Sequence, residues 1–126
     1  MLLGLGIDIV EISRMEKAVS RESFRKRVFT KAEQAYCDGR RTQSAAAYAV
    51  RWAGKESVLK AFGTGLHRGR LLDIEILPDA MGAPQVHLSG YYASLAEMRG
   101  VQKVFISLSH EREYAIAQCV LEGGTA

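Results

Sequence analysis

The run from Ser44 to Phe62 holds six alanines and no proline. Alanine has the highest intrinsic helix propensity, so the run predicts one long helix, about 28 Å from end to end. Ser44 is the expected cap, and Gly63-Thr64-Gly65 supplies the backbone freedom on which a helix ends. The chain has 126 residues, so one domain over 1–126 must be organised around this helix. A domain of that size is near the lower end for an enzyme, and oligomerisation would add both core and active-site walls.

The other segments fit around the helix. Leu3, Leu5, Ile7 and Ile9 alternate with Gly4, Gly6 and Asp8, the period of a strand with two distinct faces. Glycine inside a strand marks open space or the close approach of another backbone. Residues 12–19 and 21–28 read as short basic helices. Thr30 and Glu33 have capping-box spacing and predict a helix from Lys31 to about Gly39. Residues 70–77 and 85–88 read as strands around a turn at Asp79-Ala80-Met81-Gly82. Ser89 is the expected cap of a helix reaching Met98, and 103–109 and 114–121 read as a closing pair of strands joined at Glu111-Arg112. The order predicts an α+β fold with a mostly antiparallel sheet packed on a long central helix.

Composition narrows the function classes. Apolar residues make up 48% and charged residues 25%, as in ordinary globular proteins. A net charge of +3 leans toward an acidic partner but is too small to argue for nucleic acid. Aromatic residues are not interleaved with basic ones, as a base-stacking platform would need. Cys37 and Cys119 have neither zinc-site spacing nor a disulfide framework. No secretory leader and no apolar span of membrane length is read from the sequence, so the expected location is cytoplasmic, away from membranes.

The chemistry gathers on two acids. On the long helix, Ala45, Ala49, Trp52, Ala53 and Leu59 fall to one side, with Glu56 in their midst and Lys60 one turn on. A lone carboxylate on a core-facing stripe is costly to bury and needs a metal, a cation or water. Asp8 interrupts the glycine face of the first strand in the same way. Each acid also has a structural explanation: a Glu56–Lys60 pair at i, i+4, and an Asp8 that caps a nearby helix. Together they could share a hard cation such as magnesium, which takes few protein oxygens alongside water and phosphates. Arg40, Arg41, Arg51, Lys55 and Lys60 lie near Glu56 in sequence and suit phosphate, or form a solvated basic face. His110 closes a strand and is a structural residue or a proton carrier. His67 and His87 are expected at the surface. No nucleophile elbow, Walker loop or dinucleotide fingerprint appears.

Three blocks now stand out: Gly6-Ile7-Asp8-Ile9-Val10-Glu11-Ile12, Arg51 through Gly65, and Ser107-Leu108-Ser109-His110-Glu111. In this order and spacing the chain resembles, essentially end to end, the holo-acyl-carrier-protein synthases, the compact bacterial class of phosphopantetheinyl transferases. The resemblance implies the 4′-phosphopantetheinyl transferase fold. It implies magnesium-dependent transfer of 4′-phosphopantetheine from coenzyme A to a serine of acyl carrier protein, with release of adenosine 3′,5′-bisphosphate, in support of fatty acid biosynthesis. It makes Asp8 and Glu56 the metal ligands. It makes Arg51, Lys60, Gly63, Gly65, Gly82, Pro84 and His110 the coenzyme-binding residues. Glu56, Lys60 and His110 are the expected catalytic set, with Glu56, directly or through water, or else His110 as base. Arg14, Arg21 and Arg25 are the expected grip on the acidic carrier. It also implies homotrimers with active sites between subunits. Trp52 stands where the family usually has Phe, and Ser57 where it has Ala; both are packing changes. The rival readings are a non-catalytic coenzyme- or nucleotide-binding module and a small nucleic-acid-binding protein.

Overall fold

The computed structural model describes residues 1–66 and 68–124, so the expectation for His67 lies outside the described residues. Among the described residues, five α-helices and five strands follow in order: β1 (Leu2–Glu11), α1 (Ile12–Val19), α2 (Glu22–Val28), α3 (Lys31–Asp38), α4 (Ser44–Phe62), β2 (Ile74–Pro78), β3 (Pro84–Leu88), α5 (Gly90–Met98), β4 (Val101–His110) and β5 (Tyr114–Gly123). β1, β5 and β4 form an antiparallel sheet in that order, with β1 and β4 at its edges. The β2–β3 hairpin stands apart as a second sheet and flanks β4. The fold is therefore α+β and antiparallel, with α4 across the middle. Among the described residues, no helix is long and apolar enough to cross a membrane.

α4 is buried almost all round. Ala49, Ala53 and Val58 are fully enclosed, and Tyr48, Leu59 and Phe62 nearly so. The side that opens is the stripe Ala45, Trp52, Glu56 and Lys60. The expected stripe is thus split: Ala49, Ala53 and Leu59 face the core, while Ala45, Trp52, Glu56 and Lys60 line its more open edge. A helix surrounded by apolar neighbours carries no single apolar face, so its periodicity does not tell inside from outside.

β1 meets the helix through its glycines. Its glycine face packs on α4. A Cβ added at Gly4 would overlap Ala61 O, and one at Gly6 would overlap Ser57 O. The absent side chains let two backbones meet, the close approach that glycine in a strand marks. The opposite face, Leu3, Leu5, Ile7 and Ile9, is left exposed, with Leu5 64% and Ile9 61% accessible. Phe105, Ile116 and Tyr114 extend this apolar face across the sheet.

Local signals held unevenly. Thr30 and Glu33 form the expected capping box. Ser44 is the first residue of α4 and not its cap; Gln43 holds that position without a side-chain bond. Ser89 occupies the cap of α5 but makes no side-chain capping bond. The strand expected from Arg70 starts only at Ile74. Asp73 accepts the Arg70 backbone N–H at 3.2 Å and winds residues 71–73 into one tight turn.

Candidate metal and coenzyme site

Asp8, Glu56 and Lys60 come together where β1 crosses the C-terminal half of α4. Lys60 Nζ donates to the Asp8 carboxylate at 3.1 Å and to Ile7 O at 2.9 Å. Gly6 makes this meeting possible, because its neighbour contacts are Ser57, Lys60 and Ala61 on α4. Lys60 therefore pairs with Asp8 across the strand. Among the described residues no group donates a hydrogen bond to the Glu56 carboxylate, so the expected Glu56–Lys60 pair is not formed, and Asp8 pairs with Lys60 instead of capping a helix. Burial raises the Glu56 carboxyl above its ordinary value, the charge of Asp8 raises it further, and Lys60 opposes both.

This chemistry fits a hard divalent cation. Two carboxylates repel across a half-buried site with too little positive charge to balance them. No group of three or more His, Cys, Asp or Glu side chains that could hold a metal occurs among the described residues. A site of two carboxylates leaves room for water and phosphate oxygens, as magnesium requires.

Other expected site residues lie elsewhere. Gly63 ends α4 at φ 75°, its N–H bonded to Leu59 O and Lys60 O, and Gly65 follows at φ 63°. Both therefore border the Lys60 end of the helix. Gly82, at φ 88°, and Pro84 form the β2–β3 turn, held by the Asp79 carboxylate. Pro84 lines a groove with Lys103 to Ile106 of β4. His110 ends β4 and lines a cleft with Thr42, Gln43, Ala45 and Ala46 at the start of α4. By register, Asp8 lies opposite Ala117 and Leu108, so His110 shares its sheet face from the far edge. Two strand spacings put them about 10 Å apart across the sheet, and α4 lies over the space between. The expected residues thus fall in two groups: Asp8, Glu56, Lys60, Gly63 and Gly65 at the β1 edge, and Gly82, Pro84 and His110 along β4.

Two of the basic residues on α4 are buried. Arg51 is buried, with Nε donating to Ile76 O at 3.0 Å and Nη1 to Ala47 O at 3.3 Å. Its guanidinium lies 4.4 Å from the Tyr36 ring centroid. These contacts hold it against α3 and β2. Lys55 is wholly enclosed and pairs with Glu33 at 2.8 Å. Its other donors reach Leu71 O and Ile74 O. Glu33 in turn caps α3 and accepts the Ile76 N–H at 2.8 Å. The capping box was visible in sequence, but nothing there revealed that the same glutamate meets Lys55. Thr42 and Gln43 carry no sequence signal and emerge beside His110 only through folding.

The expected carrier-binding arginines lie on or beside the short helices, with Arg14 in α1, Arg21 at the cap of α2 and Arg25 within α2. Arg14 and Arg21 are exposed. Arg25 is half-buried and donates to Val19 O, which fastens α2 to α1.

Residues 4–119 match the family model of the 4′-phosphopantetheinyl transferase superfamily. The chain belongs to that superfamily. It is 45% identical to a holo-[acyl-carrier-protein] synthase of Geotalea daltonii over 97% of this chain and 99% of that protein. Among solved structures it resembles the Bacillus anthracis holo-(acyl-carrier-protein) synthase in complex with CoA (3′,5′-ADP). That match has a TM-score of 0.82 and 35% identity, covering 98% of this chain and 99% of the other. The Helicobacter pylori enzyme in complex with coenzyme A gives a TM-score of 0.82 at 31% identity, covering 94% and 99%. With the superfamily in hand, the carboxylate pair and its flanking lysine sit in a transferase fold, matched over nearly its whole length.

Proposed function

We propose that this chain transfers 4′-phosphopantetheine from coenzyme A to a serine of apo acyl carrier protein, as a magnesium-dependent enzyme of fatty acid biosynthesis in the cytoplasm. The observation that carries this reading is the Asp8–Glu56 pair: two converging carboxylates, one with a raised pKa, beside a lysine in a transferase fold. Asp8 and Glu56 would hold the ion. When bound, it would neutralise the pyrophosphate charge as the reaction proceeds.

The chain's own residues do the rest. Lys60 presents an ammonium toward the phosphates and is more than half exposed, so it can leave Asp8 for an anionic ligand. Gly63 and Gly65 turn the backbone beyond Lys60 and border the coenzyme. Glu56, with its proton affinity raised, takes the proton from the carrier serine hydroxyl; His110 is the second candidate. The serine oxygen bonds to the phosphorus nearest pantetheine as the bridging P–O bond breaks. The electron pair leaves on adenosine 3′,5′-bisphosphate. Arg14 and Arg21, with Arg25 behind them, meet the acidic carrier.

The two groups of residues support an assembly. Gly82, Pro84 and His110 lie toward the edge opposite Asp8, which fits a coenzyme site shared between neighbouring copies. A head-to-tail ring would join the β1 edge of one copy to the β4 edge of the next, and a closed homotrimer is such a ring. The exposed apolar face of the sheet gives it a surface to bury. The test of the reaction is mass spectrometry of apo acyl carrier protein incubated with this protein, coenzyme A and magnesium. The expected result is a gain of one phosphopantetheine group on the acceptor serine. Coenzyme binding without that gain would favour a binding module.

A further inference from the structure

The loop after α4 is braced by α5 in a way the proposed reaction does not yet use. Arg99, which ends α5, donates from Nη1 to the carbonyl of Phe62, the last residue of α4. Its guanidinium lies 5.9 Å from the Phe62 ring centroid. A cation at a helix C-terminus complements the dipole and satisfies a carbonyl left without an intrahelical donor. Tyr92, fully buried on the same helix, packs on the Phe62 ring at 6.0 Å, and its hydroxyl donates to Gly65 O at 3.4 Å. On the return of the loop, a Cβ added at Gly69 would overlap the Tyr92 ring. The Tyr92 phenol is pushed up by burial, then by Tyr91, Asp73 and Glu56, which sets Glu56 within electrostatic reach of the brace.

The outer side of the loop is different. A Cβ added at Gly63 or Gly65 would meet nothing within 4 Å. Both glycines sit at positive φ, so their backbone conformation and not crowding calls for glycine. The loop therefore has a soft backbone, an open outer side and a rigid inner side. Two glycines left unbraced would have to be ordered whenever a ligand bound, at a cost in affinity.

We propose that Arg99 and Tyr92 are positioning residues that preorganise the Gly63–Gly65 loop for coenzyme A. This rests on the assignment of that loop to the coenzyme site. Calorimetric titration of coenzyme A into the full-length protein tests it, with transfer kinetics alongside. Arg99→Met is expected to weaken coenzyme binding by roughly tenfold, the loss of one charge-assisted hydrogen bond. Its KM for the carrier should stay unchanged. Arg99→Lys should recover most of the affinity, because an ammonium can still reach Phe62 O. Tyr92→Phe keeps the ring packed and should weaken binding in the same direction by less. The proposal is overturned if Arg99→Met binds coenzyme A like wild type while its Tm falls, or if the KM values for both substrates rise together. A wild-type protein that binds coenzyme A and transfers nothing sinks the transferase reading alone, since the calorimetric comparison still reads the brace.

Discussion

Glu56 gives up its charge more readily than an exposed glutamate would, and this has a measurable consequence. Its folded pKa is raised, so the folded state holds the proton more tightly than the unfolded chain does. In the metal-free protein, stability should fall as pH rises from the ordinary glutamate range near 4.3 through the raised value. Thermal unfolding across that window in a chelator measures it, and Glu56→Gln should flatten the slope. The same variant removes the repulsion with Asp8, so its Tm at neutral pH should equal or exceed that of wild type. Its kcat for transfer should drop by about 100-fold or more. Lys55 behaves in the opposite way. Lys55→Ala would leave Glu33 charged and enclosed without its cation, a loss of about 3–5 kcal/mol. Urea unfolding reads that loss; an unchanged midpoint would mean that the pair does not hold the core.

At the scale of elements, the β1–α4 contact decides where the acids stand. Gly6→Ala would drive a Cβ into Ser57 O and force the strand and helix apart. The expected cost is about 1–3 kcal/mol of overpacking, with a larger loss of transfer because Asp8 moves relative to Glu56. Denaturant unfolding and kcat on the same sample check both parts. This contact also marks the limit of what the sequence revealed. Alternation placed Asp8 on the glycine face, and helix geometry put Glu56 and Lys60 on one stripe; both readings survive. Which face met the core was not legible. An all-round buried helix and a strand with two usable faces look the same whether a stripe points in or out. The fates of Arg51 and Lys55 were hidden for a similar reason. Their partners, Ile76, Tyr36, Glu33, Leu71 and Ile74, are at least 15 residues away along the chain, and only tertiary packing brings them together.

For the molecule as a whole, the proposed ring makes use of the exposed sheet face. Ile7 is 55% exposed at the middle of β1, with Leu5 and Ile9 on the same face. Ile7→Arg should leave the chain folded and shift it to a monomer by light scattering, with transfer lost, because the apolar face can no longer close a ring. A monomeric variant with full activity would put the whole site on one chain. The most direct measurement mixes two inactive proteins. Glu56→Gln disables the half-site at the β1 edge, and His110→Ala disables the half-site at the end of β4. After the two are unfolded and refolded together, random rings should hold both wild-type halves at about a quarter of their sites. The account predicts that the mixture regains roughly that share of wild-type phosphopantetheine transfer, while each variant refolded alone stays inactive. Transfer by the mixture no greater than the sum of the two variants would contradict it.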